Sequence, residues 1–247
     1  MIPHGKKLGK LPKKHDARNL KLATYLPQLP IVPGAVDWAA WVHAWGLFRN
    51  GDLGDCTCAS LAHAIQSWTA NALGEDSMVT VPDQAVVDMY SAISGYDPRY
   101  PSTDQGAYCL DALRHIRKTG LGGHKIEAFA EIDYHKHGLL RAAVWLFGAV
   151  YIGATLYDDI WDSEVWDAPK PGTRIAGGHA MVLVRFGKNG LAVPTWGALQ
   201  PVTWAWVDSC VDESYALLST DSLDKAGQSV AGFKLDALRE DLGMVTR

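Results

Sequence analysis

No apolar run in this chain of 247 residues reaches the roughly 18 needed for a membrane-spanning helix, so no span is expected. Strong charge of either sign is also missing. With 23 Lys and Arg against 27 Asp and Glu, the formal net charge is −4, too weak a field to gather phosphates, and nucleic acid is not an expected partner. Four cysteines are too few for a disulfide framework in a chain this long, and Cys56 and Cys58 stand too close together to bridge comfortably. Free thiols suit a reducing compartment. There is no internal repeat and no low-complexity tract, which excludes solenoids and arrays.

The remaining composition, 48% hydrophobic and 20% charged, is that of a protein with a sizeable core. Residues 1–35 stand apart from it. MIPHGKKLGKLPKKHDAR carries Lys6, Lys7, Lys10, Lys13, Lys14 and Arg18 with little apolar content, and reads as an extended basic arm: a solvated tail or a segment that docks on a protein assembly partner. The arm has no apolar core of a secretory signal, so the expectation is a soluble cytoplasmic protein, or one incorporated in a virion if phage-encoded. Pro27, Pro30 and Pro33 then forbid a long helix and predict a strap laid over the domain that follows.

Helical patterns crowd the first half of residues 36–222. CTCASLAHAIQSWTANAL repeats apolar residues at Leu61, Ala64, Ile65 and Trp68, with Asp55 where an N-cap belongs. VPDQAVVDMYSAISG carries Pro82 near its first turn and Gly95 past its end. GAYCLDALRHIRKTG places Tyr108, Leu110, Leu113 and Ile116 on one stripe, and HGLLRAAVWLF reads as a shorter helix. AVYIGATL, GHAMVLVRFG, GLAVPTW and YALLS are short β-rich runs bounded by Gly, Pro and Asp. Helices first and antiparallel strands after predict an α+β domain of two lobes over residues 36–222, followed by a C-terminal extension at 223–247.

Chemistry concentrates in two places. A thiol is a useful nucleophile only when its thiolate is favoured, and a helix start offers partial positive charge and free N–H donors, the position Cys56 occupies. The turn NGDLGD before it lets a carbonyl approach the Cys56 amide, and Asn50 is near enough to supply a second donor to the same oxygen. A base is then required. Of nine histidines, His179 is the best placed, at the head of an apolar strand beside Gly177 and Gly178, with Trp196 positioned to cover the ring. Cys58 lies about 200° around the helix from Cys56 and is expected to pack. A zinc site of Cys56, Cys58 and His63 has the wrong spacing, and no metal or cofactor is expected.

NGDLGDCTCASLAHA resembles the nucleophile segment of papain-like cysteine peptidases, and GGHAMVLVRFG with PTWG resembles their histidine strand and the Asn-Ser-Trp-Gly that follows. The similarity runs over roughly residues 16–219 and is greatest to bacterial members; LGDCT and TWGALQ also resemble bacteriophage proteins. The resemblance implies a papain-like two-lobed fold with a helical lobe followed by an antiparallel β lobe, Cys56 as nucleophile, His179 as general base and acid, and Asn50 in place of the family's oxyanion glutamine. Pro194 stands where the family has the asparagine that orients the histidine, which leaves Thr195 or a backbone carbonyl to do so. It also implies a side-chain pocket between GAVYIGATL and the histidine strand. With Gly153 and Gly178 as walls and Gln105 and Gly106 at the edge, that pocket is expected to be wide, shallow and tolerant of large apolar side chains.

The function so implied is a thiol hydrolase that cleaves peptide or amide bonds, with a peptide or protein substrate, and with the Cys56 sulfur within about 4 Å of a His179 ring nitrogen. The alternative is a structural or binding protein, such as a bacteriophage virion component, that keeps the fold with reduced or no activity. The basic arm and ten tryptophans suit docking in an assembly.

Overall fold

The computed structural model describes Pro3 and residues 5–222; the expected C-terminal extension, 223–247, lies outside the described residues. In chain order the elements are β1 (Leu20–Lys21), α1 (Leu22–Tyr25), β2 (Val36–Asp37), α2 (Cys56–Leu73), α3 (Asp83–Ser94), α4 (Cys109–Lys118), β3 (Ile126–Glu131), α5 (His137–Phe147), β4 (Val150–Tyr157), β5 (Ile175–Leu183), β6 (Arg185–Gly187), β7 (Gly190–Thr195), β8 (Ala198–Val202), α6 (Trp204–Cys210) and β9 (Val211–Ser219). The strap expected from Pro27, Pro30 and Pro33 is irregular past the single turn of α1.

The strands form two sheets, of order β1-β3-β9-β4-β5 and β2-β6-β7-β8. Alternation along β5 decides what each face of the larger sheet meets. Ala180 and Val182, with Val184 just beyond, belong to a core shared with Leu61, Ile65 and Trp68 of α2, Tyr90 of α3 and Leu113 and Ile116 of α4. Met181 and Leu183 belong to a second core with Val144 and Phe147 of α5, Trp206 and Val207 of α6, and Leu191 and Val193 of β7. A strand buried on both faces reads as a continuous apolar run, and AMVLV is one. The result is the α+β, two-lobed arrangement expected from the order of the elements.

Helix α2 is enclosed on all sides, and that constrains everything near its start. Its apolar residues meet the sheet, while its polar residues must find partners without water. They find them in the loop before the helix: Gln66 donates to the Ala44 carbonyl at 3.0 Å and accepts from the Gly46 N–H at 3.1 Å, and Ser67 and Asn71 donate to the Trp38 carbonyl at 3.1 and 2.7 Å. Tyr151 of β4 donates to the Thr57 carbonyl at 2.9 Å, and the Trp68 indole donates to the Phe147 carbonyl at 2.7 Å. α2 is therefore tied to β4 near its start and to the end of α5 further along.

α4 buries Leu110, Leu113 and Ile116 as expected, but Cys109 and Ala112 complete its stripe and Tyr108 lies outside it at the surface. Strands β3 and β8 and helix α6 have no counterpart in the sequence pattern; all three are short, and β8 holds Pro201 within ALQPV.

Trp68→Ala tests the seating of α2, because it leaves a large cavity and an unpaired Phe147 carbonyl. The loss should be about 3–5 kcal/mol, read from urea denaturation. A loss below about 1 kcal/mol would show that this contact does not anchor the helix.

Candidate active site

Cys56 is the first residue of α2 and is fully buried. The turn before it is tightly wound: Phe48 and Arg49 both take positive φ, at 52° and 67°, and the Leu53 N–H bonds back to the Arg49 carbonyl at 2.9 Å. Asp55 occupies the N-cap position, and its backbone carbonyl accepts from Cys58 and Ala59 at 2.8 and 3.0 Å. Its side chain does not cap, contrary to expectation. Neither carboxyl oxygen has a hydrogen-bond partner, and burial raises its pKa well above the usual carboxylate range.

Residues that the sequence pattern did not single out hold the turn. Asp104 accepts from the Gly54 N–H at 3.1 Å and from the Tyr90 hydroxyl at 2.6 Å, and that hydroxyl accepts from the Gly106 N–H at 2.9 Å. One carboxylate thus fixes the nucleophile turn and the opposite wall at Gly106. Asn50 is buried, with its amide donating to the Leu53 carbonyl at 3.1 Å and, more weakly, to the Lys7 carbonyl at 3.4 Å. Cys58 is buried and packs within α2. His63 bonds the Gly46 carbonyl at 2.8 Å, and among the described residues no cluster of three His, Cys, Asp or Glu side chains is arranged to hold a metal.

His179 lies on β5, opposite Ala154 of β4. Its Nε2 and the Thr195 hydroxyl are 2.7 Å apart, and its ring stacks on Trp196 with centroids 4.4 Å apart and planes 19° from parallel. Thr195 therefore takes the orienting place that Pro194 cannot fill, and Trp196 covers the ring as expected. The Nδ1 atom is buried with no hydrogen-bond partner. Cys56 and His179 meet through the backbone: the N–H of Ala180, next after His179, faces the Cys56 sulfur, as does that of Gly9. No hydrogen bond joins the Cys56 sulfur to the His179 ring in this arrangement.

The arm lies against both segments. The N–H groups of Gly9 and Lys10 donate to the Gly178 carbonyl at 3.2 and 3.0 Å; on the other side Ala107 donates to Gly9 at 2.8 Å and Leu11 donates to Ala107 at 3.0 Å. The arm is thus an extra strand between β5 and the segment preceding α4, running parallel to that segment at Lys10 and Ala107. Only glycines allow so close an approach. A Cβ on Gly9 would overlap the Gly54 carbonyl, and one on Gly106 would overlap the Gly9 carbonyl. The Lys7 carbonyl accepts from the Trp196 indole at 3.2 Å, and Lys6 stands 5.3 Å from the centroid of that ring.

The arm's other basic residues are paired too. Lys7 meets Asp104 at 3.1 Å, Lys14 meets Asp111 at 2.9 Å, Lys13 meets Glu131 at 3.9 Å, and Asp16 joins Arg18 to Arg114. Lys10 enters the site itself, in ion pairs with Asp212 and Glu213. The wide apolar pocket expected beside Gly153 is therefore not what the structure shows. Gly153 lines a slot for a lysine stem with two carboxylates near its end, because β9 brings Asp212 and Glu213 to a place that local sequence around Gly153 does not reveal.

Burial disfavours charge on both groups. It pushes the Cys56 thiol up to about 12 and the His179 imidazole down to about 3, with His63 lowering it further, so both are neutral at pH 7.

A helix-borne thiol and a histidine held by a hydroxyl and a tryptophan thus flank the same extended segment of the arm, and the fold is that of the papain-like cysteine proteases. No family model matches the chain, and no curated protein matches it. Among solved structures it is similar to xylellain, a cysteine protease from Xylella fastidiosa, at TM-score 0.68 and 15% identity over 88% of this chain and 98% of that one. It is also similar to procathepsin B S9 from Trypanosoma congolense, at TM-score 0.60 and 10% identity over 86% of each chain. A third likeness is to the ragweed cysteine protease Amb a 11 in its proform, at TM-score 0.57 and 18% identity over 81% of this chain and 74% of that one.

A histidine buried neutral makes stability depend on pH. Below about pH 6.5 the unfolded chain binds a proton at His179 that the folded chain does not bind until about pH 3, so stability falls on acidification through that window. Between pH 7 and pH 5 the wild type should lose about 2 kcal/mol more than His179→Gln. Urea midpoints at the two pH values check this, and equal losses would show that His179 is already open to water.

Proposed function

We propose that this chain is a papain-like thiol hydrolase cleaving peptide or amide bonds, with its cleft filled by its own basic arm. The observation that carries the reading is the arm itself: an extended peptide hydrogen-bonded on both edges, lying across the sulfur of a cysteine at a helix start. With the arm displaced, water returns to the cleft and the penalty on charge falls. His179 Nδ1, the ring nitrogen left without a partner, then takes the Cys56 proton while Thr195 holds Nε2. The thiolate attacks the substrate carbonyl, forming the C–S bond, and the oxyanion is received by the Cys56 N–H and the Asn50 amide. That amide's donation to the Lys7 carbonyl supports its reach toward a peptide carbonyl. The C–N bond breaks as the imidazolium protonates the leaving amine, and water, giving its proton to His179, hydrolyses the thioester.

A second reading, a structural or binding protein with little or no activity, is favoured by the complete burial of Cys56 and His179 and by Pro194 in the orienting position.

Gly9→Val in the full chain separates the two, because the new side chain overlaps the Gly54 carbonyl and drives the arm out. Iodoacetamide labelling at pH 6, followed by mass spectrometry, should be slow at all four cysteines of the wild type, which are all buried. In Gly9→Val, labelling of Cys56 alone should rise at least about tenfold, with a thiol midpoint below the free value of about 8.5. Adding His179→Ala should abolish the rise. A Cys56 that stays slow, or that reacts equally well without His179, would falsify the hydrolase reading and leave the structural one.

A further inference from the structure

The slot that Lys10 occupies is not needed to hold the arm's backbone, which Gly178 and Ala107 already bond. It is nonetheless built for one kind of side chain. The Lys10 side chain is 2% exposed, with its ammonium 2.9 Å from Asp212 and 3.5 Å from Glu213. The Glu213 side chain is 1% exposed, and the Glu213 oxygen that faces the ammonium has no hydrogen bond at all. The other oxygen accepts from the Tyr215 hydroxyl at 2.9 Å, so the carboxylate is held in place before any cation arrives. Gly153 provides the room, since a Cβ there would overlap the lysine stem. Burial opposes the charged ammonium, but Cys109, Asp212 and Glu213 outweigh it and hold the Lys10 pKa above its ordinary value.

We propose that this slot is the specificity pocket of the enzyme and that it selects substrates with a lysine or arginine side chain next to the residue that presents its carbonyl to Cys56. The position is taken from contact alone: Gly9 is the arm residue that lies against the Cys56 sulfur, through its N–H, and Lys10 is its neighbour in the chain. When the arm leaves, the vacated slot is lined by the side chains of Asp212 and Glu213, which attract a cationic side chain and offer nothing to an apolar one. Asp212, 35% exposed, gives the entering cation a solvated carboxylate at the mouth. The arm is then a mimic of the substrate in charge as well as in backbone pairing. This inference rests on the hydrolase reading above.

The test uses the full chain carrying Gly9→Val, with Lys10→Glu as the replacement should that variant not fold. Fluorogenic dipeptide amides with Lys, Arg, Leu or Glu as the residue before the one bearing the reporter are compared by kcat/KM. Lys and Arg should exceed Leu by at least about thirtyfold, and Glu should be the poorest. Adding Asp212→Asn with Glu213→Gln should bring the ratio of Lys to Leu to within about threefold of one. A Leu preference, or a Lys preference that survives the double substitution, overturns the proposal while leaving the hydrolase standing. If no amide is cleaved, the hydrolase reading fails, and the pocket is judged by the rate at which Lys- and Leu-bearing dipeptidyl epoxides alkylate Cys56. Faster alkylation by the Lys reagent supports the pocket; equal rates reject it.

Discussion

The seating of α2 against the sheet is the constraint from which the rest of the site follows. A helix enclosed on every side must satisfy its polar groups internally, and α2 does so by bonding the loop at residues 38–46 through Gln66, Ser67 and Asn71. Apolar packing on Ala180 and Val182 then fixes the depth at which the helix begins. Cys56 therefore arrives beside the Ala180 N–H, one residue from His179, without depending on any bond between the two side chains.

The arm exploits a second consequence of that seating. Because the sheet ends at β5, the Gly178 carbonyl is available to an added strand, and the segment before α4 faces it across the cleft. Gly9, Gly106 and Gly178 let three backbones pass without side chains between them. The same closeness excludes water, and burial disfavours charge on both the Cys56 thiol and the His179 imidazole. Closure of the cleft and burial of both groups thus have one cause. It is reinforced by charge, since the arm's lysines meet Asp104, Asp111, Glu131, Asp212 and Glu213 rather than standing in solvent.

Helices α2, α3, α4 and α5 were legible because apolar periodicity and end signals are local: Gly95 adopts the left-handed conformation past α3, and Cys56–Leu73 is the span expected for α2. Thr195 as the partner of His179 was legible only as one option, because the choice between a hydroxyl and a carbonyl depends on where β7 passes β5. The non-capping side chain of Asp55 was not legible, since the identity of a residue at a helix start does not reveal whether its carboxyl turns outward or is buried.

The sequence by itself determined the α+β order of elements, the thiol at a helix start and the histidine on an apolar strand, because each is written in residues close together in the chain; the strand itself begins at Ile175, which puts His179 in its middle rather than at its head as expected. Only the tertiary structure decided where the arm lies and what Gly153 is for. Lys10, Ala107, Gly178 and Glu213 are separated by long stretches of chain, and no local pattern records that a lysine near the start will meet a carboxylate on β9. Six basic residues in a short run read first as a solvated tail and only second as a docking segment. The acids that resolve the question are brought to the cleft by packing, and sequence distance carries no information about that.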